Sequence, residues 1–205
     1  MSSGTMERAP LAPVWGCVLI GGRSSRMGRP KHLLSRGGVT WLEVIVSLLR
    51  EKTQQVVISG AGEIPGTLAA LPVVPDEPGL QGPLAGILSV CRAWPEVSWL
   101  VAACDMPDIS PEALDWLLSR RAPGVKAVLP DLEGRGQVEP LLAYYDRSCR
   151  ELLEKMAERG ILRPGALHGQ PGVIAPLVPP ALRNAWRNCN TPADLAAGDN
   201  SCLPG

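Results

Sequence analysis

The apolar run at residues 14–20 stops at Gly21-Gly22, and it opens a series of short strand candidates that alternate with capped helical segments. Several of these runs are apolar throughout rather than at every second position. That is the pattern of a strand covered on both faces, as in the middle of a parallel sheet. The candidates are residues 14–20, 54–60, 73–74, 99–104, 125–129, 141–145 and 173–177. Alternation of this kind predicts an α/β fold of three layers, a mostly parallel sheet with helices on both faces.

The helix starts are written in local chemistry. Thr40-Trp41-Leu42-Glu43 is a capping box and predicts a helix to about residue 50. Gly82-Pro83 and Ser110-Pro111 each put proline at a first helical position, for helices to about 94 and 121. Asp146 can cap a helix to 159 that Gly160 ends, and Thr191-Pro192 opens a short last one. Residues 1–12 read as a disordered tail, 13–197 as one domain and 198–205 as a flexible C-terminal tail.

Ligands of such sheets bind beyond the carboxyl ends of the strands, and the suggestive residues fall there. After the first strand, Arg23, Arg26, Arg29 and Lys31 crowd a glycine loop, and no Asp or Glu occurs between Glu7 and Glu43. The chain as a whole has 20 basic and 20 acidic residues, so this excess is local. Glycines that admit an anion to the backbone, with cations around them, make a phosphate cradle. The loop is neither a dinucleotide fingerprint nor a P-loop: five residues separate Gly22 from Gly28, and Lys31 is followed by His32.

Three later stretches complete the set. Asp76, followed by Gly79 and the run Gly82-Pro83-Leu84-Ala85-Gly86, offers an acceptor for a base amine beside a helix N-terminus; alone, it reads as an Asx-turn. Asp105, in Cys104-Asp105-Met106-Pro107, ends an apolar strand where a carboxylate can hold Mg²⁺ together with phosphate oxygens. Asp108 reads as a solvated surface acid rather than a second ligand. Asn188 and Asn190, ahead of Thr191-Pro192, can present amides to a polar substrate.

Other classes are poorly supported. Zero net charge argues against nucleic acid as a partner. No run approaches the ~20 apolar residues of a membrane span, and the first 13 residues lack a signal-peptide core. The six cysteines (17, 91, 104, 149, 189 and 202) form no CxxC pair, which favours a reducing compartment, the cytoplasm, over a zinc site. His32 and His168 form no triad with a serine or cysteine, so transfer by positioning and charge fits better than a protein nucleophile.

Taken together and in this order, these stretches resemble the molybdenum cofactor guanylyltransferase family, the MobA-like nucleotidyltransferases. The likeness is carried by Leu19-Ile20-Gly21-Gly22, Arg26-Met27-Gly28, Lys31, Asp76, Gly82 to Gly86, Cys104 to Pro107, and Asn190-Thr191-Pro192-Ala193-Asp194-Leu195. The resemblance implies a Rossmann-like nucleotidyltransferase fold over 13–197 and transfer of GMP from GTP to the phosphate of Mo-molybdopterin, with pyrophosphate released and Mg²⁺ as cofactor. It implies that Leu19, Ile20, Gly21, Gly22, Lys31, Ser59, Asp76, Gly82 and Asp105 bind the nucleotide. Arg26, Lys31 and Asp105 would be catalytic, Asp105 would hold the metal, and Asn188 and Asn190 would meet the pterin. Molybdoenzymes or their chaperones would be further partners. Ile20 stands where the family has alanine, Ser59 where some relatives have asparagine, and Lys31 comes one residue earlier than in some. The alternatives are a molybdopterin cytidylyltransferase, which tends to carry Asp-Thr-Pro rather than Asn-Thr-Pro, a sugar-phosphate nucleotidyltransferase, and a non-catalytic cofactor-delivery protein.

Overall fold

A computed structural model describes residues 11–21 and 30–189. Seven strands form one sheet: β1 (Val14–Leu19), β4 (Val56–Ser59), β5 (Val73–Val74), β6 (Ser98–Ala103), β7 (Ala127–Val128), β8 (Leu142–Tyr145) and β9 (Val173–Ile174). A separate hairpin joins β2 (Ser35–Arg36) to β3 (Val39–Thr40). The sheet order is β5-β4-β1-β6-β8-β7-β9. Each of the seven strand candidates holds a strand of this sheet, within a few residues at the ends.

All but one of these strands run the same way. β8 alone is reversed, antiparallel to both β6 and β7. An apolar run reads alike in either direction, so its pattern carried no sign of the reversal. The residues between β7 and β8 include no helix among the described elements, and an antiparallel return needs none.

Among the described residues four α-helices cover the sheet: α1 (Trp41–Lys52), α2 (Pro83–Ala93), α3 (Pro111–Leu118) and α4 (Arg150–Glu158). Strand alternation splits the core in two. Val18, Leu100 and Tyr144 face α1 and α3 with Leu42, Ile45, Leu49 and Leu114. Cys17, Trp99, Val101 and Tyr145 face α2 and α4 with Leu84, Leu88 and Leu153. The chain has no phenylalanine, and tryptophan supplies the aromatic bulk: Trp15, Trp94 and Trp99 pack with ring centroids 5.4–6.0 Å apart.

Local signals set these helices as expected. Thr40 Oγ1 accepts from the Glu43 amide while the Glu43 carboxylate accepts from the Thr40 amide, which is the capping box. Ser110 caps α3, which stops at Leu118, three residues before the predicted end, as its last carbonyls turn to Ser119 and Arg120. Asp146 caps a 3₁₀ turn, Arg147–Cys149, that leads into α4. The Gly37-Gly38 hairpin, with φ of 60° and 84°, was missed although Gly-Gly is a hairpin turn signal. The 3₁₀ stretches Lys31–Leu33 and Pro180–Trp186 were missed as well, being too short or too proline-rich to show a helical period. Residues 1–10, the C-terminal tail and the helix expected at Thr191 lie outside the described residues. No helix among those described is long and apolar enough to cross a membrane.

Far from the strands' carboxyl edge, Asp146 ties β8 to the start of β6. Its carboxylate accepts from the Ser148 amide (2.9 Å), Ser148 Oγ (2.6 Å), Tyr144 OH (3.1 Å) and Ser98 Oγ (3.1 Å). Burial pushes this carboxyl up, but the hydrogen bonds outweigh it and hold it below the ordinary value. A depressed carboxyl stabilises the fold above its unfolded value, about 4, and that contribution disappears as pH falls through the folded value. Chemical denaturation should therefore show Asp146→Asn about 1–2 kcal/mol less stable at pH 7, with a shallower loss than the parent below about pH 4. Parallel acid limbs for the two proteins would contradict this.

Candidate active site

The cleft forms where the sheet order changes direction. From β1 the chain goes through α1 to β4 on one side, whereas from β6 it goes through α3 toward β7 on the other. The loops after β1 and β6 thus diverge and leave a crevice between neighbouring strand ends. Leu19, Ile20, Gly21, Lys31, Ser59, Asp76, Gly82, Pro83, Gly86, Ala103, Cys104, Asp105 and Leu141 line it, around a volume of ≈ 280 Å³.

The strand ends that frame the cleft are laced by backbone hydrogen bonds. Ile20 N donates to Ser59 O (2.8 Å), Cys104 N to Leu19 O (3.1 Å), Gly60 N to Val74 O (2.9 Å) and Ala103 N to Leu141 O (2.8 Å). Gly60 makes this approach possible. At φ +116° a Cβ there would lie 2.1 Å from the Ile20 carbonyl oxygen. Ile20 itself is 6% exposed, its side chain over Gly60 and Gly62. Ile20 therefore fills core against Gly60 and Gly62 as well as lining the cleft.

Charge enters from two directions. Lys31, on the 3₁₀ turn after the loop, donates from Nζ to Asp105 Oδ2 at 3.0 Å, with each side chain about one-fifth exposed. His32, next to it, is 3% exposed and its Nε2 lies 2.8 Å from Glu63 O, so its ring anchors that turn. On the opposite wall, the α2 N-terminus opens at Gly82 with no side-chain cap. Its orphan N–H groups and positive dipole end favour an anion there.

Asp76 lies on the same wall. Gly86 has no side chain to hold it off: a Cβ at 86 would come within 2.9 Å of Ser59 Oγ, 3.0 Å of Leu19 Cδ2 and 3.3 Å of Asp76 Oδ1. Partial desolvation raises the Asp76 carboxyl above its ordinary value. Ser59 is buried and donates from Oγ to Gly86 O (3.0 Å), which stitches β4 to the first turn of α2. The Cys104 thiol is pushed up to about 12, by burial first and the neighbouring Asp105 charge second. It is therefore no nucleophile at neutral pH.

The structure thus brings Leu19, Ile20, Gly21, Lys31, Ser59, Asp76, Gly82 and Asp105 to one cleft. Gly22, Arg26 and Asn190 lie outside the described residues. Asn188 is exposed and does not line the cleft, but it is attached to its rim, since Cys189 N donates to Asp105 O at 2.8 Å. One expectation is corrected. Asp108 is not a solvated surface acid: its Oδ2 accepts from Arg187 Nε at 2.5 Å, and each side chain is two-thirds covered. Sequence reasoning passed over Arg187, Leu141 and the anchoring role of His32. Only for Arg187 was there a signal, its position just before Asn188.

The described donor set suits Mg²⁺ better than a metal that needs a protein cage. No group of three or more His, Cys, Asp or Glu positioned to hold a metal occurs among the described residues. Asp105 stands beside a cationic side chain and an uncapped helix end, where phosphates would supply the remaining oxygens.

Comparison with known proteins accords with this geometry. A family described as the MobA-like NTP transferase domain matches residues 16–169. A probable molybdenum cofactor guanylyltransferase of Pelotomaculum thermopropionicum is 36% identical over 141 residues, covering 68% of this chain and 67% of its own. One from Bacillus cereus is 39% identical over 142 residues, 66% of this chain and 70% of its own. Among solved structures, the molybdopterin-guanine dinucleotide biosynthesis protein A of Archaeoglobus fulgidus superposes with a TM-score of 0.75 at 28% identity, over 92% of this chain and 98% of that one. With its strand-edge cleft, its lysine–aspartate pair and these relatives, the chain belongs to the MobA-like NTP transferase family.

Proposed function

We propose that this protein transfers GMP from GTP to the terminal phosphate of Mo-molybdopterin, releasing pyrophosphate. The observation that carries the reading is the Lys31–Asp105 pair at the strand-edge crevice, facing the open N-terminus of α2. The family, and relatives named as probable molybdenum cofactor guanylyltransferases, support a guanylyl donor and a molybdenum cofactor acceptor.

An oxygen of the acceptor phosphate attacks the α-phosphorus of GTP, the bond from that phosphorus to the bridging oxygen breaks, and pyrophosphate leaves. No protein nucleophile is required, consistent with a Cys104 thiol held neutral and a His32 engaged by Glu63. Lys31 pairs with phosphate oxygens and offsets the charge that develops there. Asp105 is the residue that would hold Mg²⁺, which when bound screens the triphosphate and polarises its phosphorus. Asp76 accepts from the N–H groups of the guanine edge, with Gly86 leaving it room. Leu19, Ile20, Gly21, Gly22, Ser59 and Gly82 make the rest of the nucleotide pocket, with Arg26 on the phosphates and Asn188 and Asn190 toward the pterin. Five buried free cysteines among the described residues suit the cytoplasm.

Pyrophosphate release measured with GTP, CTP and ATP, each with Mg²⁺ and molybdopterin, should occur with GTP. A preference for CTP would replace the guanylyl assignment with the cytidylyl one. Asp105→Asn should lower kcat about 10²-fold or more.

In the free protein Lys31 occupies Asp105, so metal and nucleotide must part the pair together. Lys31→Met should weaken GTP binding in calorimetry yet tighten Mg²⁺ binding in the absence of nucleotide. Unchanged affinity for both would remove Lys31 from the phosphates. Gly86→Ala should displace Asp76 and Ser59 and raise the Kd for GTP about tenfold with the fold retained, since only side-chain ends must shift.

A further inference from the structure

Three tethers fall within four residues at the end of the described chain. Trp186 donates from its indole N–H to Leu142 O at 2.9 Å, in a buried position, and stacks edge-on against Trp116 with centroids 5.8 Å apart. Arg187 Nε donates to Asp108 Oδ2 at 2.5 Å. Cys189, fully buried, donates from its backbone N to the carbonyl oxygen of Asp105 at 2.8 Å. Asn188 is the exposed residue between the last two.

The tethers divide the work. The Trp186 indole holds the segment to the start of β8, and hydrophobic burial secures it. The other two both reach the loop after β6, one at Asp105 and one at Asp108, so they set how residues 187–189 lie across it. An ion pair whose side chains are each one-third exposed adds little to folding stability, because water screens it and two long side chains lose freedom. What such a pair supplies is geometry. With Asp108 held, the peptide at 187–188 keeps one orientation, and Asn188 is presented within a residue of the Asp105 backbone.

We infer that the Asp108–Arg187 ion pair is a positioning latch for the acceptor side of the site, holding Asn188 beside Asp105, where a phosphate-bearing pterin would meet the nucleotide. The inference rests on the guanylyl-transfer reading for the identity of the acceptor, whereas the latch itself stands on the contacts. Asp108 and Arg187 are not among the residues that line the cleft; they act through Asn188 and the loop after β6.

The test uses Asp108→Asn, Arg187→Gln and the double variant in the full chain. Both single variants should raise KM for molybdopterin about tenfold while leaving the Kd for GTP from calorimetry within about twofold, and the double variant should be no worse than either single one. Hydrogen exchange gives a readout independent of activity: the Cys189 amide should exchange about tenfold faster in each single variant, with the amides of β1 unchanged. Unchanged exchange at Cys189 would overturn the latch whatever the assay shows. Faster exchange with an unchanged acceptor KM, or an equal loss of GTP affinity, would also overturn it by leaving only a structural role. A parent protein with normal tethering but no GTP-dependent pyrophosphate release would instead overturn the function, and with it the acceptor role.

Discussion

The whole carboxyl edge depends on how closely the chain can pack around β1. β1 lies between β4 and β6 with α1 against one face, and the approach is tight at two glycines. A Cβ at Gly16 would lie 2.9 Å from Leu49 Cβ, and one at Gly60 would lie 2.1 Å from the Ile20 carbonyl. Without a side chain at either point, α1 seats on the sheet and the loops after β1 and β4 run side by side. The crevice beyond β1 and β6 follows from that packing together with the change of direction in the strand order.

Charge is laid on this frame in compensated form. Lys31 neutralises Asp105 in the free protein, and Arg187 neutralises Asp108, so neither acid faces low-dielectric surroundings without a counter-ion. In the proposed reaction the Lys31 pair is the one set to exchange partners, because a triphosphate would offer the lysine more oxygens than a single carboxylate does. Asp108 and Arg187 are not among the residues that line the cleft, which suits their pair to hold geometry rather than to give way. Asp131 shows a third style of compensation. Its carboxylate accepts the amides of Glu133, Gly134, Arg135 and Gly136, which folds the loop between β7 and β8 around one charge.

Much of this was legible beforehand, for reasons that are local. The continuous apolar runs marked the strands, and Thr40–Glu43, Gly82-Pro83 and Ser110-Pro111 marked helix starts, because a cap or a first-turn proline acts within three or four residues. Gly21, Lys31, Asp76 and Asp105 were found as candidates because strand ends in such sheets are where ligands go. The direction of β8 was not legible, since apolar character does not encode polarity of the chain. Nor was the lining role of Leu141, which looks like any other strand residue until β8 turns it toward the crevice.

By itself, then, the sequence determined the layer architecture, the helix boundaries near their caps, and the set of residues at the strand ends, all of which rest on interactions among near neighbours. Tertiary structure decided which charges pair and what each is for. Lys31 and Asp105 are 74 residues apart, Asp108 and Arg187 79. No local pattern links members of such pairs. Only the strand order, and the close packing that two glycines allow around β1, brings Lys31 to Asp105 and leaves Asp108 to an arginine beside Asn188.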